Sequence, residues 1–334
     1  MPSESTFRHF ETTLKEVALF LEKGKRFIIM THKDSDPDGI GSMLALGRAL
    51  DNGGKEALLV SDEPLHAPVS LLKGAEKIVQ DVESGLYFDG VIVMDSGEIK
   101  RVGGPLSYLE GPLPVINIDH HESNSLFGDF NLVDSRRSST SELVFEVIGA
   151  AGLRIDADTA ENIFAGIQAD TGSFRYNNTT ASSMRIAADM IDLGANPWQI
   201  SRTMMQERSL SQLKLLEIAL GSLEFYHKGE IGVVTISLDM FNSTQAGMVE
   251  SNRFIDYPRF VQGVELAVLI RQTGENDYKF SLRSNDRVNV AELSGRFGGG
   301  GHIRAAGFEC HGPLVCLKDK FLKEAGRYLD GKCD

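Results

Sequence analysis

The sequence predicts an α/β fold. A mostly parallel sheet forms the N-terminal domain, a smaller α+β domain follows, and a helical connector joins them. Three observations predict it. Short apolar runs such as Phe27-Ile28-Ile29-Met30 and Gly90-Val91-Ile92-Val93-Met94 alternate with stretches of helical periodicity. Three of the N-terminal runs end in an acidic residue or a histidine, where open α/β sheets bind ligands. From Glu230 onward the alternation gives way to closely spaced strand patterns. At 334 residues the chain is long enough for two separate cores. The expected boundaries are 1–195 for the first domain, 196–225 for the connector and 226–334 for the second domain.

The elements follow in order. Phe7, Phe10, Leu14, Val17 and Leu21 recur at helical spacing over 7–23. Residues 26–31 form a buried strand, a polar turn follows, and a helix runs from Ile40 to the stop at Asp51-Asn52-Gly53-Gly54. Residues 55–60 read as the next strand, and 61–88 carry no clear pattern. Strand 90–94 leads into Asp95, and strand 114–118 leads into Asp119-His120-His121. Ser139-Thr140-Ser141-Glu142 has the form of a capping box and opens a helix to about Ala151. Asp158 opens a helix that ends at Asp170-Thr171-Gly172, and a helix from Thr180 to Leu193 is closed by Gly194. Pro197 and Trp198 begin the connector. In the second domain 231–236, 264–271 and 278–283 read as strands, 289–297 as a short helix and 314–329 as a final helix.

Composition excludes several classes. Apolar content of 42% and charged content of 24% are those of a globular chain. No stretch approaches the ~20 apolar residues of a membrane span, and the N-terminus lacks the basic and apolar regions of a signal peptide. Cys310, Cys316 and Cys333 have neither zinc-site nor disulfide spacing, so they are expected to be free thiols in a reducing cytoplasm. A net charge of −13 argues against coating long nucleic acid. A small anionic substrate remains compatible, because bound cations reverse the local field.

The stretch THKDSDPDGIGS at 31–42 places a histidine and three aspartates in one turn, with Gly39 and Gly41 relaxing the backbone. Oxygen donors with one imidazole suit Mn²⁺, Mg²⁺ or Fe²⁺ better than a structural zinc. Taken alone, His32 reads as an ordinary turn histidine, Asp95 as a helix cap and Asp170 as a helix stop. Their ordered recurrence, His32/Asp36/Asp38, then Asp95, then Asp119-His120-His121, then Asp170, favours one site.

That series, with VIVMDSGE, NIDHHESN and GIQADTGSFRYNNTT, resembles the DHH phosphoesterase family. The tail SLRSNDRVNVAELSGRFGGGGHIRAAGFE is similar to the domain that accompanies it. Ser35 departs from the proline that many members carry there. The resemblance implies two Mn²⁺ ions, with Mg²⁺ or Fe²⁺ as substitutes. His32 and Asp36 would hold one ion, Asp38, His120 and Asp170 the other, and Asp95 would bridge them. Asp38, Asp95 and His121 are then the implied catalytic residues, with His121 on the substrate side and Asp119 orienting a histidine. Asp34 could replace Asp36 in another register, but Gly41-Ser42 would then fall at the wrong offset. Implied substrate contacts are Asn124 and Arg175 in the first domain. In the second they are Arg283, Ser284, Gly299, Gly300, Gly301, His302 and Arg304, the glycines acting as a phosphate grip.

Within the family the likeness is to oligoribonucleases that also dephosphorylate 3′-phosphoadenosine 5′-phosphate. The expected partner is therefore very short single-stranded RNA or a small nucleotide, with no membrane and with a homodimer allowed. A diadenylate phosphodiesterase is the alternative, and a nucleotide-binding regulatory module without catalysis is the second.

Overall fold

The structure is a computed structural model that describes residues 4–83, 85–102, 111–206 and 208–331, with side chains except at 4–9, 205–206 and 302. The chain divides into two compact units, Met1–Glu207 and Arg208–Asp334.

The first unit contains α1 (Glu4–Lys23), β1 (Arg26–Thr31), α2 (Pro37–Asn52), β2 (Glu56–Val60), β3 (Gly90–Met94), β4 (Val115–Asp119), β5 (Phe130–Val133), α3 (Thr140–Ala150), α4 (Ala157–Asp170), α5 (Ala181–Asp192) and α6 (Pro197–Ser201). Its five strands form a parallel sheet in the order β2-β1-β3-β4-β5. The central strands are continuously apolar because both faces are covered. Phe27 and Ile29 of β1, with Ile92 and Met94 of β3, join the core built with α1 to α5. Ile28 and Met30, with Val91 and Val93, join a smaller core under Phe88, Val102 and Phe127.

The second unit contains α7 (Leu210–Leu220), β6 (Glu224–Tyr226), β7 (Ile231–Ile236), α8 (Leu238–Thr244), α9 (Asp256–Arg259), β8 (Leu266–Gln272), β9 (Asp277–Ser284), α10 (Val290–Gly295), β10 (Gly300–His302), β11 (Ala305–His311) and α11 (Leu314–Leu329). Its six-stranded sheet runs β10-β11-β9-β8-β7-β6, antiparallel except at β7–β8. Here too β8 feeds two cores. Leu266, Val268 and Ile270 face α10 and α11, while Ala267 and Leu269 pack on the side of α7 and α8. The α/β class expected from sequence is present.

Several element starts differ from expectation, each for a capping reason. Helix α2 begins at Pro37, not Ile40: Asp36 is its N-cap, accepting from the N–H groups of Asp38 and Gly39, and proline suits the first helical position. Helix α4 begins at Ala157, because Asp156 and not Asp158 caps it. At α3, Ser139 accepts from the Glu142 N–H as expected. The Glu142 carboxylate does not return to Ser139, however; it accepts from the N–H and hydroxyl of Ser138. Among the described residues of 61–88, short 3₁₀ turns form at Val69–Leu71 and Ala75–Lys77, and an isolated bridge pairs Val79 with Val60. Among the described residues Cys310 and Cys316 are free thiols, and no helix is long and apolar enough to cross a membrane. Cys333 lies outside the described residues.

Gly39 and Gly41 sit inside α2 with ordinary helical backbone, so the expected relaxed turn is not what they supply. They permit close approach. A Cβ on Gly41 would lie 2.7 Å from the Asn162 carbonyl oxygen of α4. Gly41→Ala should therefore destabilise the fold by ~1–3 kcal/mol, the clash outweighing the gain in helix propensity. Gly149→Ala, in α3 with open space around the added methyl, should be neutral or stabilising by roughly 0.5–1 kcal/mol. Urea denaturation of both variants checks the pair; similar shifts in the two would mean that α2 and α4 are not in this contact.

Candidate metal centre

The carboxyl ends of β1, β3 and β4 lie side by side, because these strands are neighbours in the sheet. His32 follows β1, Asp95 follows β3, and β4 ends in Asp119 with His120 and His121 next. Helix α2 adds Asp36 at its cap and Asp38 in its first turn, and α4 adds Asp170 at its last residue. Three groups of potential donors converge: His32, Asp36 and Asp95; Asp38, His120 and Asp170; and Asp95, His120 and His121, each with ligand atoms within 4.8 Å of one another.

Asp95 is central to the geometry. Its Oδ2 lies 3.5 Å from His32 Nε2. Its Oδ1 lies 3.6 Å from His120 Nε2 and 3.7 Å from His121 Nδ1. His120 Nε2 is also 3.1 Å from Asp170 Oδ2 and 4.0 Å from Asp38 Oδ2. Asp36 Oδ1 is 4.0 Å from His32 Nε2. Asp34 is exposed, has φ 54° and joins none of these groups.

Each imidazole is oriented from behind. His32 Nδ1 donates to the Lys33 carbonyl at 2.7 Å, which turns Nε2 toward Asp36 and Asp95. His120 Nδ1 is 3.3 Å from the Arg137 carbonyl. His121 Nδ1 donates to Asp119 Oδ1 at 2.6 Å. Asp119 is fully buried, and its Oδ2 accepts from Asn124 Nδ2 at 2.6 Å. The same amide reaches Asn117 Oδ1, and Asn124 Oδ1 accepts from the Leu126 N–H. Both ends of the Asn124 side chain are thus engaged inside the protein. Its place in the structure is behind Asp119.

Sequence reasoning missed the supports supplied by α3. The Thr140 and Ser141 N–H groups donate to Asp38 Oδ2 and Oδ1 at 2.6 and 3.0 Å, and the Thr140 hydroxyl donates to Asp95 Oδ1 at 2.9 Å. The signal was present in Ser139-Thr140-Ser141, a polar run whose members are all buried, but a capping box accounts for the same residue types. Gly166 was missed as well: a Cβ there would lie 2.6 Å from Asp38 Oδ1.

The electrostatics are those of crowded carboxylates. Burial lifts the Asp38 pKa well above the carboxylate range, and the charges of Asp95 and Asp170 lift it further. Burial pulls the His32 imidazole down, but Asp95 and Asp36 overcome this and push it up to about 9. Burial likewise opposes His120, which Asp170, Asp95 and Asp38 raise to about 11. Burial acts to raise Asp95, yet the hydrogen bond to His32 and the charges of His120, His121 and His32 hold it below the usual range.

The donors fit divalent cations. Hard oxygens and Nε2 atoms of set orientation converge. Among the described residues the Thr31 hydroxyl, 1% exposed, has no hydrogen-bond partner. A Cβ on Gly39 would lie 2.5 Å from that hydroxyl and 3.4 Å from both Asp95 Oδ2 and His32 Nε2, so glycine keeps this corner of the site clear of a side chain.

The remaining expected residues are spread over both units. Arg175 is exposed in the turn after α4, its Nε donating to the Gly172 carbonyl at 2.6 Å. In the second unit the register aligns Arg283 of β9 with Ala305, and Ala305 with His302. The Ser284 N–H donates to the Arg304 carbonyl at 3.2 Å. The His302 side chain lies outside the described residues. The glycine run is not a loose loop, since Gly300 and Gly301 belong to β10. Gly299 and Gly301 are required by their own chain. Added Cβ atoms would meet Ser294 Oγ and the Ala305 carbonyl at 2.5 Å, and Gly301 has φ 142°. Gly300 faces open space.

The comparisons with known proteins follow this division. The family model described as DHH family, N-terminal domain matches residues 26–167, and that of the DHHA1 domain matches 232–330. The chain is 35% identical over 280 residues to the bifunctional oligoribonuclease and PAP phosphatase NrnA of Thermus thermophilus, covering 84% of this chain and 82% of that one. It is 26% identical over 287 residues to the Bacillus subtilis protein of the same description, covering 84% and 88%. Among solved structures, an exopolyphosphatase-related protein from Bacteroides fragilis superposes with a TM-score of 0.89 at 24% identity, covering 96% and 98%. RecJ of Thermus thermophilus, in complex with Mn²⁺, superposes with a TM-score of 0.53 at 14% identity, covering 96% of this chain and 55% of that one.

Two outcomes follow from the geometry. Asp36→Ala should lower bound Mn²⁺ far more than Asp34→Ala, measured as metal per chain after gel filtration; the reverse order would place Asp34 in the site. Second, with pKa values raised to about 9 and about 11, His32 and His120 are expected to be protonated at pH 7 without metal. Binding a cation at Nε2 must displace those protons, and the raised Asp38 would add any proton it holds, so at least about two should be released at pH 7 and affinity should rise with pH. Calorimetry in buffers of different ionisation enthalpy reads the release, and a buffer-independent enthalpy would show that the imidazoles are already neutral.

Proposed function

The chain belongs to the DHH family, and from that premise we propose that it is a phosphoesterase of the cytoplasm. On this reading it shortens very short oligoribonucleotides to mononucleotides and dephosphorylates 3′-phosphoadenosine 5′-phosphate. The observation that carries the reading is the convergence of three histidines and three further aspartates around Asp95. The 35%-identical relative supplies the substrate class.

His32, Asp36 and Asp95 would hold one Mn²⁺, and Asp38, His120 and Asp170 with Asp95 the other. When bound, such a pair neutralises charge on a phosphoryl group and makes water a better nucleophile at neutral pH. The protein's own part is positioning and proton handling. Asp119 fixes the His121 ring through Nδ1. Burial opposes the charged ring, but Asp119 and Asp95 raise its pKa above the ordinary value. A protonated His121 can hold a phosphate oxygen or give its proton to the leaving oxygen. Thr140 holds the Asp95 carboxylate that both ions would share.

The second unit is proposed to bind the nucleotide through Arg283, Ser284, His302 and Arg304. Arg304 Nη2 is 3.2 Å from Asp286 Oδ1, but the two side chains are 49% and 83% exposed. So exposed a pair is weak, and the guanidinium can turn to a phosphate at little cost. Arg283 and Ser284 are held in β9, which pairs with β11, and Arg304 lies in the turn that joins β10, ending in His302, to β11.

Two assays test the reading. Purified protein with Mn²⁺ should turn over dinucleotide RNA and 3′-phosphoadenosine 5′-phosphate well above cyclic diadenylate and pyrophosphate. Preference for cyclic diadenylate by tenfold or more would replace the substrate assignment. Asp95→Asn should lose roughly 10²-fold or more in turnover while unfolding at a similar temperature, because the lost carboxylate serves the site and not the core. Near-normal turnover at limiting Mn²⁺ would overturn the shared-carboxylate mechanism.

A further inference from the structure

Thr140 is the first residue of α3 and is fully buried. It touches two of the candidate ligands at once. Its N–H donates to Asp38 Oδ2 at 2.6 Å, and its hydroxyl donates to Asp95 Oδ1 at 2.9 Å. The two Asp95 oxygens have different neighbours. Oδ1 faces His120, and Oδ2 faces His32. The hydroxyl therefore acts on the oxygen turned toward the Asp38, His120 and Asp170 group.

Both groups are braced, since His32 Nδ1 donates to the Lys33 carbonyl and Asp36 Oδ1 accepts from the Asp38 and Gly39 N–H groups, but they differ at their carboxylates. Asp38 is fully buried, with one N–H of α3 on each oxygen. His120 is braced by the Arg137 carbonyl, and the Asp170 carbonyl is tied to Asn178 Nδ2 at 3.1 Å. In the His32 group, the Asp36 side chain is 49% exposed. There Asp95 Oδ2 has the Thr31 hydroxyl nearby, yet that hydroxyl makes no hydrogen bond to the described residues. A site whose donors are already fixed loses less freedom when it binds, and outer partners of this kind set how well a ligand atom is presented.

We propose that Thr140 is a positioning residue that makes the two metal positions unequal. By holding Asp95 Oδ1 against Asp38, it pre-forms the Asp38–His120–Asp170 position, which takes its ion more tightly than the His32–Asp36 position. The inference rests on the two-ion reading above and adds to it an order of filling and the residue that sets it.

The test is Mn²⁺ titration by calorimetry of the whole chain and three variants, with no substrate present. The unsubstituted protein should show two binding events at least ~10-fold apart in affinity, and Asp36→Ala should remove the weaker one. Thr140→Val keeps the shape and the N–H of residue 140 but deletes the hydroxyl. It should weaken the tighter event by roughly 10–100-fold, the usual effect of losing an outer partner of a ligand, and leave the weaker event within about threefold. Thr140→Ser restores the hydroxyl and should restore the tight event. Equal weakening of both events, no change, or failure of serine to rescue would overturn the role given to Thr140. Binding of a single ion by the unsubstituted protein would overturn the two-ion reading itself, and the inference with it. Thermal unfolding of the metal-free variants accompanies the titrations. If Thr140→Val is unfolded, the serine variant decides, and serine with a normal fold but a weakened tight event counts against the inference.

Discussion

A fully buried carboxylate is costly unless its oxygens are satisfied, and Asp38 is such a group. The N-terminus of α3 satisfies it. Two main-chain N–H groups take one oxygen each, at the helix end where the backbone dipole favours negative charge. That single docking constrains much of the first unit. Helix α2 must bring Asp38 to α3, so the two helices meet, and the Ser42 and Ser141 hydroxyls lie 3.0 Å apart in the buried contact. Helix α4 must also come close, which only glycine allows at positions 41 and 166. Three helices are thereby locked around one buried carboxyl group, and Asp170 arrives at the same place on the end of α4.

The sheet supplies the other half of the constraint. In the order β2-β1-β3-β4-β5 the chain first steps outward from β1 to β2 and then returns to place β3 on the other side of β1. The crevice at the carboxyl ends of β1 and β3 is therefore the switch point, where connections leave in opposite directions and ligands bind. His32 and Asp95 occupy that crevice, one strand spacing apart, and β4 places Asp119, His120 and His121 on the next strand over. The site falls where the topology leaves room, and the helix docking then fills it with charge of one sign. The raised pKa of His32, to about 9, and of His120, to about 11, expresses that excess negative charge.

Much of this was legible in the sequence because buried parallel strands read as unbroken apolar runs. Strands β1 and β3 are of that kind, β4 is interrupted only by the buried Asn117, and the polar residue that ends each run marks the site. Strand β5 was not legible. It is a short edge strand in which only Leu132 is fully buried, so it carries no such run. The start of α2 was misread because apolar periodicity begins at Ile40, whereas the cap at Asp36 is also a candidate ligand and one carboxylate serves both purposes. Thr140 and Ser141 were invisible for a related reason, since a capping box explains their side chains and says nothing of which N–H groups receive a distant aspartate. The glycines of the second unit carry a demand that no local pattern announces, since β11 packs against Gly299 and Gly301 and leaves no room for a Cβ.

Asp95 shows how strain and chemistry are combined in one residue. Its φ of 55° is left-handed, which for a residue other than glycine costs about 1–3 kcal/mol. Aspartate tolerates that region better than most side chains, but glycine would tolerate it best and would bring no carboxylate. The conformation survives because the surroundings fix it from both ends. The Asp95 N–H donates to the Ile118 carbonyl at 2.9 Å, extending the β3–β4 ladder one residue past the strand, and the carboxylate is held by Thr140. Turning the chain left-handed right after β3 ends the extended backbone while the side chain stays over the strand ends, between His32 and His120. Asp34 has nearly the same φ of 54° in the neighbouring turn, but it is exposed and outside every donor group. The same backbone state thus does two different jobs. At Asp34 it leaves an exposed side chain outside the site, and at Asp95 it aims a buried carboxylate, the difference being set by what packs against each residue.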